Sequence, residues 1–97
     1  MSTITERVRR GAALLDEKRP GWWRDIDLGR LDIDSCSTCI LGQIGGGKYG
    51  AYTSAMSELG LGDYEDVEYG FDGDYPGALT EAWRDLIGQR LAQAVPA

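Results

Sequence analysis

Two stretches of helical apolar periodicity, one near each end of the chain, constrain the fold most. The first is a stripe at helical spacing on a single face, formed by Ile4, Val8, Ala12 and Leu15. Thr3 followed by Glu6 has the spacing of a capping box, and Pro20-Gly21 cannot continue a helix. The pattern predicts a helix from Ile4 to Lys18.

The second stretch is near the C-terminus. Its apolar stripe at helical spacing consists of Tyr75, Leu79, Trp83, Leu86, Ile87 and Leu91. Asp74 is a suitable cap, and Pro76 suits the first turn of a helix because its missing N–H has no intrahelical partner to lose. We therefore expect a long final helix that faces the first one.

The middle of the chain predicts two shorter helices. One should contain Cys36 to Gln43, after which the glycines at 45–47 break it. The other should run from about Tyr49 to Leu59 and end at Gly60, with Leu61 placed for the apolar contact of a Schellman motif.

Residues 62–73 are acidic and rich in turn formers. Val67, Tyr69 and Phe71 alternate as in a strand, but a single strand would lack a partner. A chain of 97 residues has room for one core. The sequence thus predicts a mainly α fold: one domain over residues 1–97, a small bundle of about four helices with a long acidic loop.

The charge of the chain is strongly uneven. The net charge is −6, and no base occurs between Lys48 and Arg84. This balance disfavours direct binding to a nucleic-acid backbone. The simplest interpretation is a solvated acidic surface, and the sharper one is an acidic face that docks on a basic protein surface.

Cys36-Ser37-Thr38-Cys39 is the one pattern typical of metal or thiol chemistry, in a chain without histidine. A tetrahedral zinc site needs four ligands, so the pair supplies half of one. A second copy or carboxylates would have to complete the site. Redox chemistry of the two thiols is another hypothesis, and packing of cysteine as a small apolar residue is the simplest.

Two further patterns are incomplete. Gly42 and Gly47-Lys48 have the spacing of a phosphate-binding loop, but Tyr49 stands where a serine or threonine would hold magnesium. Residues 63–74 are acidic like a calcium loop but lack its central glycine. We expect neither nucleotide nor selective calcium binding, and hence no cofactor other than a possible zinc ion.

Catalysis and membrane insertion are both disfavoured. There is no histidine for general base catalysis and no nucleophile elbow, so we expect a protein that is not an enzyme. The residues Met1 to Glu6 lack the features of a secretory signal, and no apolar run approaches the roughly 20 residues that span a bilayer. We expect a cytoplasmic protein that does not contact a membrane.

Several short motifs, which look like packing motifs, are shared with a known group. They are Gly11 to Asp16, Arg19-Pro20-Gly21-Trp22, Ile26-Asp27-Leu28, Cys39 to Gln43, Gly70-Phe71-Asp72, and Leu79-Thr80 with Ala82-Trp83. In these the chain resembles small proteins of unknown function encoded by actinobacterial phages. The resemblance implies an accessory phage protein acting in the cytoplasm of a bacterial host, and it carries over no functional residue.

These features favour a non-enzymatic protein that binds a host or phage protein. Trp22 and Trp23 are adjacent, so one should enter the core while the other stays partly exposed as a binding hot spot. The acidic residues expected on the same surface are Asp63, Glu65, Asp66, Glu68, Asp72 and Asp74. The alternatives are an acidic nucleic-acid mimic that inhibits a DNA-binding protein, and a structural dimer linked by metal through Cys36 and Cys39.

Overall fold

The chain folds into helices and the turns that join them. The computed structural model describes residues 3–48, 50–62 and 64–94. Its elements are α1 (Ile4–Lys18), a 3₁₀ helix (Trp22–Asp25), α2 (Ile40–Ile44), α3 (Ala51–Leu59), α4 (Glu65–Glu68) and α5 (Pro76–Ala94). No strand occurs in the part of the chain that the structure describes. The prediction of a mainly helical fold is confirmed.

Helix α1 has the bounds that the sequence predicts. The Oγ1 of Thr3 accepts a hydrogen bond from the backbone N–H of Glu6 at 3.1 Å, as an N-cap should. The buried face carries Val8, Ala12 and Leu15, so the apolar stripe of the sequence faces the core.

Helix α5 differs from its prediction at both ends. It begins at Pro76, directly after Tyr75, so Asp74 lies too early in the chain to be its cap. Tyr75 is 71% exposed and Leu91 38% exposed, although both belong to the predicted stripe. A helix of 19 residues is about 28 Å long. Its two ends therefore extend beyond the core that buries its middle.

The middle helices are shorter than predicted. Helix α2 begins only at Ile40, because Cys39 has an extended backbone and residues 34–38 form turns. Helix α3 begins at Ala51, and the predicted start at Tyr49 lies outside the described residues. At its end Gly60 is left-handed, and the N–H of Leu61 bonds the carbonyl of Met56 at 2.9 Å, which is the predicted Schellman arrangement.

Three aromatic rings form the centre of the core. Trp83 of α5 meets Trp22 edge-on, with 5.7 Å between ring centroids, and stacks on Phe71 at 5.4 Å. The indole Nε1–H of Trp83 donates to the carbonyl of Gly70 at 2.7 Å. These contacts therefore join the 3₁₀ helix and α5 to residues 70–71.

The acidic stretch is only partly a loop. Residues Glu65–Glu68 form the single turn α4, which packs against α1. Gly11 of α1 permits this packing, because a Cβ there would lie 2.1 Å from the carbonyl oxygen of Tyr69. Alternation of Val67, Tyr69 and Phe71 therefore reflects a turn held against a helix, and not a strand.

Candidate interaction surface

The two adjacent tryptophans have different environments. Trp22 is completely buried, and its Nε1–H donates to Asp16 at 3.0 Å. It has no surface to offer a partner, so its assignment to a binding surface is corrected. Trp23 is half-buried, and the guanidinium of Arg24 lies 4.6 Å from the centroid of its ring. Adjacent residues of a helical turn point in different directions, which is why one enters the core alone.

We define the acidic segment as residues 64–75. Its exposed carboxylates are those of Glu65, Glu68, Asp72 and Asp74. Asp63, which the sequence also assigns to this surface, lies outside the described residues. The acidic segment contains no lysine or arginine, so these carboxylates have no basic neighbour within it.

Asp66 belongs to the interior and not to the exposed row. Asp66 is only 9% exposed, and its Oδ2 accepts a hydrogen bond from the hydroxyl of Tyr52 at 2.5 Å. Burial, and next the bond to Asp66, raise the pKa of Tyr52 well above its usual value. The pair joins α3 to α4, so the assignment of Asp66 to a binding surface is corrected: it anchors the segment.

Two further contacts attach the acidic segment to the core. Phe71 is buried against Trp83, and its backbone N–H donates to the carbonyl of Asp66 at 2.9 Å. The carbonyl of Gly70 accepts the indole N–H of Trp83. The exposed side chains of the segment are therefore displayed by a backbone that is attached to the core.

The most exposed aromatic side chains of the described residues are at the two ends of this segment. Tyr64 is 85% exposed and Tyr75 is 71% exposed. Tyr64 also has a positive φ of 67°, which is uncommon for a residue with a large side chain. Sequence reasoning missed both: Tyr75 fits the apolar stripe of α5, and Tyr64 follows no periodicity.

Basic residues of α1 border the acidic segment. Arg7 lines a shallow cavity together with Asp74 and Tyr75. The guanidinium of Arg10 donates to the carbonyl of Glu68 at 3.3 Å. These bases limit the acidic surface on the side of α1, while Tyr64, Met56 and Asp72 line a second cavity on the side of α3.

The structure places Trp23 and the acidic segment on separate elements. The 3₁₀ helix that carries Trp23 packs against α2 and α5. The acidic segment packs against α1 through α4 and contacts α3 through Asp66. The candidate surface therefore consists of two tyrosines and four carboxylates that are exposed along one segment of the chain, and Trp23 lies on a different element.

The two cysteines have unequal roles. Cys39 is buried and is the N-cap of α2, where its Sγ accepts the N–H of Gly42 at 3.3 Å. Burial raises the pKa of the Cys39 thiol. Cys36 is exposed, and both thiols are free. A metal shared through this pair would have to reach the buried Sγ of Cys39.

Within residues 3–48, 50–62 and 64–94, no three or more cysteine and acidic side chains converge in a way that would hold a metal ion. The cysteine pair has no such cluster beside it in that part of the chain.

Comparison with known proteins adds no family. Models of protein families, curated protein sequences and solved structures give no match to this chain. None of the helices formed by the described residues is long and apolar enough to cross a membrane.

Proposed function

We propose that this chain is a non-enzymatic protein-binding module whose acidic segment docks on a basic surface of a host or phage protein. The observation that carries the proposal is the position of Tyr64 and Tyr75, the two most exposed aromatic side chains, at the ends of a run of four exposed carboxylates. The resemblance described above supplies the setting, an accessory protein of an actinobacterial phage in the cytoplasm of its host.

The two kinds of side chain would contribute differently. Tyrosine is enriched at protein interfaces and among hot spots, because its ring buries a large area while its hydroxyl stays hydrogen-bonded. The carboxylates of Glu65, Glu68, Asp72 and Asp74 would accelerate encounter with a basic partner and fix its orientation. The tyrosines would therefore determine how long the complex lasts, and the carboxylates how fast it forms.

Attachment of the segment to the core favours this role. Asp66, Phe71 and Gly70 fix the backbone from below through Tyr52 and Trp83. A segment that is already ordered loses little conformational entropy on binding. A partner of basic chemistry follows from the absence of lysine and arginine between Lys48 and Arg84.

Site-specific crosslinking tests the surface directly. p-Benzoyl-phenylalanine in place of Tyr64 or of Tyr75, in tagged protein added to an actinobacterial lysate, should capture the same protein from both positions. The matched control has the crosslinker in place of Gln93, an exposed residue near the end of α5. Capture from the control position alone would place the interface elsewhere on the molecule.

The captured partner then permits a quantitative test. Tyr64→Asn and Tyr75→Ala should each weaken binding by roughly tenfold or more, mainly by faster dissociation. The pair Glu65→Gln and Glu68→Gln should slow association and reduce its dependence on salt. Affinity unchanged by either tyrosine substitution would contradict the proposal.

The same complex distinguishes the protein-binding module from the alternative function. An acidic mimic of nucleic acid would bind a DNA-binding protein, and duplex DNA would displace it in competition. Replacing Glu65 and Glu68 by glutamine would then weaken binding more than the substitutions of Tyr64 and Tyr75 do, because a mimic depends on its charges. Absence of competition by duplex DNA would leave the protein-binding module as the explanation.

A further inference from the structure

A groove between α1 and α5 has no lining residue in the acidic segment, although Ile4 lines both this groove and the small cavity that contains Asp74 and Tyr75. The two helices run side by side in the same direction: Ile4 and Leu79 share a cavity near their starts, and Arg90 binds Asp16 through two contacts of 2.6 and 2.9 Å near their ends. The groove has a volume of about 650 Å³. Its apolar floor is formed by Ile4, Val8, Ala82 and Leu86.

The two walls of the groove carry opposite charges. Arg9 lines the wall that α1 forms, and Glu81 and Asp85, one turn apart, line the wall that α5 forms. Arg9 and Asp85 form no ion pair with any residue in the described part of the chain. Glu81 has one exposed contact, at 3.7 Å, to Arg84. The charges that face the groove do not neutralise one another across it.

We infer that this groove is a self-association surface on which a second copy of the chain docks. A two-fold axis that runs along the groove, parallel to the two helices, places the α1 wall of one copy against the α5 wall of the other. Arg9 of each copy then faces the acidic pair of its partner, so each symmetric dimer gains the same contact twice. The apolar floors of the two grooves face each other between these contacts.

A second copy fits better than an unrelated helix. An isologous interface must be complementary to itself, which requires opposite charges on opposite sides of an apolar centre. The groove has this arrangement within one chain. A dimer formed here leaves Tyr64, which lines a cavity on the side of α3, outside the interface.

Sedimentation equilibrium over protein concentrations from micromolar to millimolar tests the inference. The buffer contains reductant and a chelator, so that a dimer linked through Cys36 or through a metal does not form. The unaltered chain should form dimers that dissociate as salt is raised, because the wall contacts are exposed to solvent. Arg9→Glu alone should weaken dimerisation by about tenfold or more, since it creates two repulsive contacts.

A charge exchange gives the sharper measurement. The Arg9→Glu variant carries only acidic charges on the two walls of its groove. The double variant Glu81→Arg with Asp85→Arg carries only basic charges on both walls. Each variant should repel itself, but an equimolar mixture should form a one-to-one heterodimer, because both of its wall contacts are then attractive. The dissociation constant of this heterodimer should lie within a few-fold of that of the original dimer.

The control variant matches the charge but not the position. Glu17→Arg with Glu68→Arg makes the same change of net charge outside the groove and should not pair with Arg9→Glu. A monomeric chain at every concentration and salt would overturn the inference. The control keeps both native walls and should form dimers with itself, so only its heterodimer with Arg9→Glu is informative. A mixture of the exchanged pair that stays monomeric would overturn the inference, and so would a control that forms a heterodimer with Arg9→Glu as readily as the exchanged variant does.

Discussion

Two regions of the molecule use the same residue types in opposite ways. One is the packed region between α1 and α5, and the other is the acidic segment. Between the helices, the carboxylate of Asp16 is bonded both to Arg90 and to the indole of Trp22, and the aromatic rings are buried. In the acidic segment four carboxylates face solvent, and both end residues are exposed tyrosines. Residue type alone therefore does not decide which side chains pack and which are displayed.

The difference arises from how the backbone is attached. Gly70 has a φ of +75°, and a Cβ there would lie 2.9 Å from the backbone nitrogen of Val8. Together with the close approach at Gly11, this brings residues 69–71 directly onto α1 and buries Phe71. On either side of this attachment, Glu68 and Asp72 are exposed. A few buried atoms thus support a highly charged surface.

Trp83→Ala should have the largest effect, because it removes the support of both regions at once. The substitution should lower the free energy of unfolding by about 3–5 kcal/mol, through a cavity beside Trp22 and Phe71 and through loss of the partner of the Gly70 carbonyl. Urea unfolding followed by far-ultraviolet circular dichroism measures this. Trp83→Phe, which keeps most of the volume, should cost less. A loss below about 1.5 kcal/mol for alanine would show that the regions are not supported together.

Tyr52→Phe should come second and should loosen the acidic segment selectively. It leaves the buried carboxylate of Asp66 without its hydroxyl donor, at a cost of about 1–3 kcal/mol. Hydrogen exchange should rise in residues 64–71 and much less in α1. Equal loss of protection in both places would mean that the segment does not open separately from the core.

The same substitution changes the response to alkaline pH. The pKa of Tyr52 is raised in the folded state, so the folded chain keeps this proton to higher pH than the unfolded chain. The resulting stability is complete below the unfolded pKa of about 10 and is lost as pH rises above it. The Phe variant should therefore lose less stability than the original chain between about pH 9 and 11.

Periodicity and caps predicted the α1–α5 region well. Thr3, Pro76 and the stripe of α1 carry local signals that the tertiary structure did not override. The stripe of α5 holds only in its middle, since Tyr75 and Leu91 are exposed. The prediction for the cysteine pair was incomplete. Burial of both cysteines was the simplest expectation, and it is confirmed for Cys39 but wrong for Cys36, which is exposed. The capping of α2 by Cys39 required knowing that the helix begins at Ile40.

The candidate surface was predicted only in part. The charge run identified Glu65, Glu68, Asp72 and Asp74 as acidic neighbours, but it could not separate Asp66, whose burial depends on Tyr52 far away along the chain. The exposure of the tyrosines was not predicted: Tyr75 fits the apolar stripe of α5, Tyr64 follows no periodicity, and exposure depends on where neighbouring elements end. Such non-local contacts are not encoded in any short pattern.

Asp16→Asn should lower the free energy of unfolding by a smaller amount, and this loss should shrink at acid pH. The bond to Arg90, and then the bond to Trp22, hold the pKa of Asp16 below its usual value. The folded chain thus binds this proton less readily than the unfolded one, so the stability is present above about pH 4 and is lost as pH falls through the folded pKa. Because the pair is partly exposed, the loss at neutral pH should be about 1 kcal/mol or less.

Thermal unfolding at pH 7 and at about pH 3 measures that effect. The difference between the original chain and Asp16→Asn should shrink at the lower pH. Glu17→Gln removes a neighbouring carboxylate that is exposed on the same helix, and it should show almost no difference at either pH. A constant difference for Asp16→Asn would mean that its ionisation is not what stabilises the fold.

Tyr64→Asn should have the smallest effect on stability, and its sign should be favourable. Asparagine tolerates a positive φ better than tyrosine does, so the free energy of unfolding should stay the same or rise by up to about 1 kcal/mol. Tyr64→Ala should gain less, because alanine is also strained there. Urea unfolding of both variants measures this. A loss above about 1 kcal/mol would mean that Tyr64 supports the fold, whereas no loss together with weakened partner binding would mean that the ring is displayed for recognition.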